Sequence, residues 1–332
     1  MTPKILLTEA IHETGINIIK ESARLEIAMD PGDETVIKAI TDADALIVRS
    51  TRVTATMIEA GKQLKVIGRH GIGLDNIDLE AATRYGVAVV NTPEANVLSV
   101  VEHVLATMLY LCKRIVEVDN ALRMGEFDQP GSLPGLVTKL GYITQELYGK
   151  TLGLIGFGKI ARKTAEVCIK GFNMKVCGYD AFLAPELIKQ AGVEPCGTLE
   201  EVFGKSDFIS VHVPLTPGTR NLVGKKQLDL MKPTAYLINP SRGGVVNEEH
   251  LYNALKNKSI AGASVDVFEK EPPNKDNPLF ALENIVVTPH IAAMTDGALV
   301  RMARDVSEGV ISVLRRERPQ NLVNPEVWER LK

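Results

Sequence analysis

The sequence predicts an α/β protein made of two doubly wound parallel sheets, and three observations lead there. Short β-rich runs alternate with amphipathic helical segments through the first hundred residues, and the alternation resumes at Thr151. A glycine-rich turn, Gly156-Phe157-Gly158-Lys159-Ile160-Ala161, joins a strand-like run to a helix-like one. Three reactive side chains, Arg242, Glu271 and His290, each follow an apolar run that reads as a strand. Open parallel sheets bind ligands at the carboxyl ends of their strands, so the three residues point to one crevice.

In the first series the strands are Ile5 to Thr8, Leu25 to Met29, Ala45 to Val48, Lys65 to Gly68 and Val87 to Val90. Strands separated by helices of this length pair in parallel through right-handed crossovers, with helices on both faces. At Ser99-Val100-Val101-Glu102 a capping-box pattern predicts the start of a long helix running to about Leu122, a stiff connector that marks the domain boundary. The stretch from Gly125 to Gly149 carries Pro130-Gly131, Pro134-Gly135 and Gly141 without sustained periodicity, and reads as a long irregular excursion: a lid, a subunit contact or a solvated loop. Six strands follow: Thr151 to Ile155, Lys175 to Gly178, Phe208 to Val211, Ala235 to Ile238, Gly262 to Val265 and Ile285 to Val287. One last helix is expected over about Asp296 to Arg318, with Arg315, Arg316 and Arg318 at its end where cations suit the dipole, and then an irregular tail.

With 332 residues, 45% hydrophobic and 24% charged, the chain has ample material for two cores. A net charge of −3 with scattered cations gives no basic face, which argues against nucleic acid as a partner. The apolar run at the N-terminus is too short for a signal peptide, and no other reaches the roughly 18 residues of a membrane span. Cys112, Cys168, Cys177 and Cys196 lack C-x-x-C pairing and read as reduced packing residues of a cytoplasmic protein. No His/Cys/Asp/Glu group has ligand spacing, so no metal site is expected.

The glycine turn carries a nucleotide-binding signal. Gly156 permits the tight turn, Gly158 lets backbone approach a pyrophosphate, and Ala161 allows close helix-to-strand packing, leaving the helix N-terminus aimed at the phosphates. Asp180 ends the next strand, 24 residues beyond Gly156, where an acid accepts ribose hydroxyls. A 2′-phosphate would meet like charge there, and Ala181-Phe182 supply no arginine, so NAD is expected over NADP.

A hydride moved to or from a nicotinamide must be matched by a proton. His290 exchanges a proton near neutral pH, and a carboxylate partner would orient it and favour its charged form. Glu271 is the better partner, because Glu269 lies two residues away and points elsewhere in an extended segment. Arg242 suits bidentate binding of a carboxylate and polarisation of a carbonyl.

Over nearly its whole length the chain resembles the D-isomer-specific 2-hydroxyacid dehydrogenases. The matching motifs are the Gly156 turn, Val211-His212-Val213-Pro214-Leu215-Thr216-Pro217, the Asn239 to Gly244 run, Ala263 to Phe268 leading to Glu271-Pro272, and Thr288-Pro289-His290. The resemblance implies catalytic Arg242, Glu271 and His290. It assigns Gly156, Gly158, Lys159, Ile160, Asp180, Val213, Pro214, Pro240, Ser241, Asp266, Ala292 and Ala293 to the cofactor. It further implies a Rossmann NAD domain, residues 99–293, inserted into a flavodoxin-like substrate domain, residues 1–98 and 294–332, and a homodimer or tetramer.

Within that family the first domain is most similar to the D-3-phosphoglycerate dehydrogenases, through Leu46 to Ser50, Val66 to Asp78 and Asn91 to Asn96. This implies that Arg49 and Ser50 meet the substrate's distal group and that the Gly71, Ile72 and Gly73 backbone holds its carboxylate, alongside Arg242 and His290. Two departures stand against the subtype: the long Gly125 to Gly149 excursion, and an end at Lys332 that leaves no room for a regulatory domain. The expected reaction is hydride transfer at C2 of a D-2-hydroxy acid, 3-phosphoglycerate first, with hydroxypyruvate, glyoxylate or sulfolactate chemistry as alternatives. A formate or phosphite dehydrogenase relative fits less well, since formate members carry an amide where Glu271 stands. The reading from another class is an NAD-sensing binding protein similar to the C-terminal binding protein corepressors.

Overall fold

In the computed structural model, which describes residues 2–28 and 32–331, the apolar runs of the first hundred residues pair as a five-stranded parallel sheet. Its strands are β1 (Lys4–Leu7), β2 (Arg24–Ile27), β3 (Ala45–Val48), β4 (Val66–Arg69) and β5 (Ala88–Val90), in the order β2-β1-β3-β4-β5, the flavodoxin-like doubly wound arrangement. Alternate residues feed two cores. Ile5, Leu7, Ala45 and Ile47 pack with Ile19, Val306 and Val310, whereas Leu6, Leu46 and Val48 pack with Ile40, Ile58 and Ala81. The period of two and burial on both faces explain why β3 and β5 are continuously apolar, whereas β2, at the sheet's edge, carries Arg24 and Glu26. Met29, placed in a strand by its sequence, lies outside the described residues.

Strand β5 is an edge whose backbone would otherwise be left unpaired. The segment after the last helix covers it: Leu322 bridges Val90 antiparallel, and Val323 N donates to Val89 O at 2.8 Å. Asn324, 3% exposed, accepts from Val89 N at 2.8 Å and donates to Val87 O at 2.9 Å. The tail is therefore ordered, ending in a 3-10 turn (Pro325–Val327) and a short helix (Trp328–Leu331), where composition alone predicted irregular chain.

The second sheet has seven parallel strands: β6 (Thr151–Ile155), β7 (Lys175–Tyr179), β8 (Glu194–Pro195), β9 (Phe208–Val211), β10 (Tyr236–Asn239), β11 (Gly262–Val265) and β12 (Ile285–Val287). Their order is β12-β11-β10-β9-β6-β7-β8, reversing direction at β6. Six of the seven are expected; β8 escapes a pattern search because it is two residues long and contains a proline, which an edge strand tolerates. By contact the chain divides into Met1–Ser99 with Ala293–Lys332, and Val100–Ala292.

Three connecting segments differ from expectation. The helix placed at Ser99 begins at Val97, so Ser99 is no cap; it is buried, with Oγ 2.7 Å from Thr295 Oγ1. That helix stops at Lys113, and Arg114, with φ +49°, separates it from a second helix, Ile115–Arg123. The Gly125 to Gly149 excursion holds a helix, Leu133–Lys139, with a proline in its first turn, and its Phe127 and Leu136 form an apolar cluster with Ala121 of the preceding helix. Two turns of stripe amid Gly and Pro are too little periodicity to read. The last long helix ends at Leu314 rather than Arg318; Arg315 caps it and donates to Ser22 Oγ at 2.8 Å, and Arg316 turns left-handed with φ +62°.

Replacing Asn324 by Ala leaves the buried Val89 amide and Val87 carbonyl without this partner and should cost about 1–3 kcal/mol in urea denaturation. An unchanged midpoint would show that apolar contacts alone hold the tail.

Candidate active site

In a parallel sheet every strand's carboxyl end lies on one edge, and the second unit places its reactive groups there. After β6 comes Gly156 with φ +84°, where a Cβ would stand 2.7 Å from His212 O and 2.8 Å from Val213 Cγ1. Only glycine turns here. Gly158 faces open space, since a Cβ would meet nothing within 4 Å, so its backbone can be approached closely. The helix Lys159–Phe172 starts directly after it, with Ala161 buried against the sheet. Its amides and dipole form an anion site next to that open backbone, an arrangement that fits a pyrophosphate.

Asp180, after β7, fastens this turn. Its Oδ2 accepts from Phe157 N at 2.8 Å, and Oδ1 accepts from Phe182 N at 2.9 Å and Leu183 N at 3.2 Å. A carboxylate oxygen can take two donors, so Oδ2 keeps capacity for a further hydroxyl. Lys159 is exposed and Ile160 half-buried in the first helical turn; Val213 and Pro214 follow β9.

Beyond β10, the buried Asn239 side chain shapes the turn that presents Arg242. Its Oδ1 accepts from Ser241 N at 3.1 Å and Ser241 Oγ at 2.7 Å, while Nδ2 donates to Arg242 O at 3.1 Å. Pro240 is half-buried in the same turn. The turn lies so close to the Phe268 backbone that a Cβ on Gly243 would stand 1.7 Å from Phe268 O. Arg242 Nη1 donates to Ser241 O at 2.7 Å.

The segments after β11 and β12 meet at a 2.9 Å contact between Glu271 Oε2 and His290 Nδ1. Glu271 Oε1 accepts from Phe268 N at 3.1 Å. Burial by itself would raise the Glu271 pKa, but the bond to His290, its charge, the Phe268 amide and the charge of Arg242 hold it below 4.5. An ionised Glu271 requires a proton on Nδ1, which leaves Nε2 to accept or give the exchangeable one. Both side chains can be reached, His290 being 46% and Glu271 39% exposed. Glu269 points away and accepts from Glu248 N at 3.1 Å.

Asp266, 1% exposed, sits beneath this pair. Its carboxylate accepts from Thr288 Oγ1 at 2.6 Å and from Ile291 N and Ala292 N at 2.8 Å each. Ala292 is buried and Ala293 half-buried.

In the first unit Arg49 and Ser50 follow β3, and Gly71 to Gly73 follow β4. Sequence reading missed Glu9, which follows β1 by the same rule. Its carboxylate accepts from Arg49 N at 2.9 Å and Ser50 N at 2.8 Å, from Thr51 N at 3.3 Å, and from Ser50 Oγ. The Ser50 hydroxyl, expected at the substrate, therefore already donates to Glu9. Arg49 Nη2 lies against Met294 Sδ. Gly71 has φ +140°, and the Arg69 guanidinium folds over it to donate to His70 O at 2.5 Å. Thr92 N donates to Gly71 O and Asn91 Nδ2 to Ile72 O, both at 3.0 Å. His70, 2% exposed, is brought down to about 4 by burial and then by the charges of Arg49 and Arg69, so it is neutral at neutral pH.

Residues 105–292 match the family model described as D-isomer specific 2-hydroxyacid dehydrogenase, NAD binding domain. The chain is 43% identical to a D-3-phosphoglycerate dehydrogenase of Methanocaldococcus jannaschii over 97% of its own length and 59% of that protein's. It is 39% identical to a glyoxylate reductase of Pyrococcus furiosus over 98% of this chain and 97% of the relative. Among solved structures, a D-lactate dehydrogenase of Aquifex aeolicus, complexed with NAD and lactic acid, superposes with a TM-score of 0.84 at 28% identity, covering 96% of this chain and 99% of that one.

The Glu9 environment generates a pH prediction. Burial would raise this carboxyl, but the bonds from Ser50, Arg49 and Thr51 outweigh it and bring its pKa from 4.5 to about 2. A folded value below the unfolded one adds stability that is full above about pH 4.5 and is lost as the pH falls toward about 2. Glu9→Gln should flatten that part of the stability profile in pH-dependent denaturation. Parallel profiles for the two proteins would show that the carboxylate contributes nothing.

Proposed function

The chain belongs to the D-isomer-specific 2-hydroxyacid dehydrogenases, with an NAD-binding domain in residues 105–292, and from that premise we propose that it transfers a hydride at C2 of a small D-2-hydroxy acid or its 2-keto acid. The observation that carries this reading is the 2.9 Å Glu271–His290 pair, with Arg242 near enough to depress Glu271, on the sheet edge that also bears the Gly156 turn. Bound NAD supplies hydride acceptance, and NADH hydride donation. His290 Nε2 takes the hydroxyl proton in oxidation and returns it in reduction. Glu271 fixes the Nδ1 proton and favours the imidazolium. Arg242 holds the carboxylate and polarises the carbonyl oxygen.

Gly156, Gly158, Lys159 and Ile160 would take the pyrophosphate, and Asp180 Oδ2 a ribose hydroxyl. A 2′-phosphate at that position would face the Asp180 charge, which favours NAD over NADP. Val213, Pro214, Pro240, Ser241, Asp266, Ala292 and Ala293 would line the rest of the cofactor site. We assign substrate choice to Arg49 with the Gly71 to Gly73 loop, Ser50 acting through Glu9. The first substrate to test is phosphohydroxypyruvate, the keto acid of 3-phosphoglycerate, in keeping with the 43% identical relative; the chain spans 59% of that relative's length. Glyoxylate and hydroxypyruvate come next, given relatives named glyoxylate reductases, and sulfopyruvate, the sulfolactate partner, after them.

A homodimer is supported by one stretch of the second unit in which the apolar residues Ile115, Leu122, Met124, Leu133, Ile143 and Tyr148 are exposed, Met124 by 80%. Large apolar side chains exposed in such number within one stretch of chain are in keeping with a protein partner. A cytoplasmic setting accords with four free, buried cysteines. Among the described residues no helix is long and apolar enough to cross a membrane.

NADH oxidation measured with phosphohydroxypyruvate, hydroxypyruvate, glyoxylate, sulfopyruvate and pyruvate tests the reaction. His290→Ala should lower turnover by ~10²- to 10⁴-fold with little change in NADH affinity. Tight NADH binding with negligible turnover across the panel would favour an NAD-sensing protein instead. Arg49→Ala should raise KM most for the preferred anionic substrate, and a KM unaffected by it would remove Arg49 from recognition. Light scattering should give a dimer mass that Met124→Asp reduces; a monomeric wild type would refute the homodimer.

A further inference from the structure

His290 adopts a backbone that residues with a Cβ rarely take, φ +55°, in the left-handed region. Something must hold it there, and the hydrogen bonds identify what does. Three successive amides converge on a single residue. His290 N donates to Asp266 O at 2.7 Å, Ile291 N to Asp266 Oδ1 at 2.8 Å and Ala292 N to Asp266 Oδ2 at 2.8 Å. The left-handed residue lets the chain turn sharply enough for all three bonds to form. It also sends the His290 side chain to Glu271, at the end of the neighbouring strand.

A carboxylate 1% exposed is itself held by its donors, and one of them is a side chain. Thr288 Oγ1 donates to Asp266 Oδ1 at 2.6 Å, the shortest of these contacts. A hydroxyl has one proton, so Thr288 Oγ1 can only accept from its other neighbour, His103 Nε2, 3.5 Å away at the long end of the hydrogen-bond range. The polarity is thereby set: His103 Nε2–H to Thr288 Oγ1–H to Asp266 carboxylate. His103 belongs to the helix Val97–Lys113. Burial lowers its pKa and so favours the neutral ring, outweighing the charge of Asp266, which acts in the opposite direction.

We propose that Thr288, backed by His103, is a positioning residue that fixes the Asp266 carboxylate and through it the left-handed backbone of His290. The proposal rests on His290 acting as the acid/base group. Neither Thr288 nor His103 touches the reacting atoms; their effect is on where the imidazole sits. A misplacement of about 1 Å can lower a rate by about 10²-fold, so the loss falls on turnover more than on cofactor binding.

Thr288→Val preserves shape and removes both the donor and the acceptor, whereas Thr288→Ser keeps them. In steady-state kinetics with NADH and the best keto acid of the panel, Thr288→Val should lower kcat by roughly 10- to 10²-fold with a much smaller change in the NADH KM, and Thr288→Ser should recover most of the loss. His103→Phe, which keeps the ring volume and lies outside the turn, should lower kcat in the same direction by less. It supplies the test should Thr288→Val fold poorly by near-UV circular dichroism. His290→Ala, run alongside, separates the two ideas. If His290→Ala is slow while Thr288→Val and His103→Phe turn over normally, the positioning role is overturned and the acid/base reading stands. If Thr288→Ser is as slow as Thr288→Val, the hydroxyl is not responsible and the proposal also falls. Normal turnover in His290→Ala overturns both.

Discussion

Parallel pairing is the constraint on which the rest of this structure depends. Every strand of a parallel sheet ends on the same edge, so residues far apart in sequence become neighbours whenever each follows a strand. Arg242, Glu271 and His290 follow β10, β11 and β12, which are consecutive in the sheet, and the Gly156 turn follows β6 at the reversal of strand order. No long-range signal in the chain is needed to assemble them. Each needs only a strand of the right register and a short turn that stops the side chain near the sheet edge.

Those turns share one physical solution. Glu9, Asp180 and Asp266 each lie just past a strand, and each uses its carboxylate to collect backbone amides: Arg49, Ser50 and Thr51 for the first, Phe157, Phe182 and Leu183 for the second, Ile291 and Ala292 for the third. An anion that accepts several N–H groups ties a loop down at several points at once, and where the donor is buried, as at Ala292 N, losing the bond leaves it unsatisfied. In each case the fastened loop carries a residue the proposed chemistry needs: Arg49, the glycine turn, or His290.

Most strands were legible because they are short apolar runs, such as Ala45–Val48 and Phe208–Val211, and the prospective active-site residues were legible because they stand in the segments that follow those runs. What was hidden depends on tertiary partners. Ser99 looks like a helix cap until Thr295, nearly two hundred residues later, takes its hydroxyl. The helix Leu133–Lys139 has a stripe too short to recognise, and it exists because Phe127 and Ala121 give that stripe something to cover. Glu9 could have been found by the strand-end rule; it was passed over because an acid after the first strand carries no motif. Thr288 stands in a recognised motif, but its link to Asp266 and His103 carries no sequence signal, since those distances exist only after folding.

The segment that covers β5 has a consequence for how the protein is made. The first sheet receives the helix Asp296–Leu314, with Val306 and Val310 on its face, and then the Leu322 to Asn324 cover, from chain that follows the entire second unit. On a ribosome the five strands therefore emerge before residues 100–292 but lack part of the cover on one face and one edge until residues 296–324 follow, while residues 100–292 already have their own core. Residues 4–90 are completed by residues 296–324, so of the two units the one begun first is the one closed last.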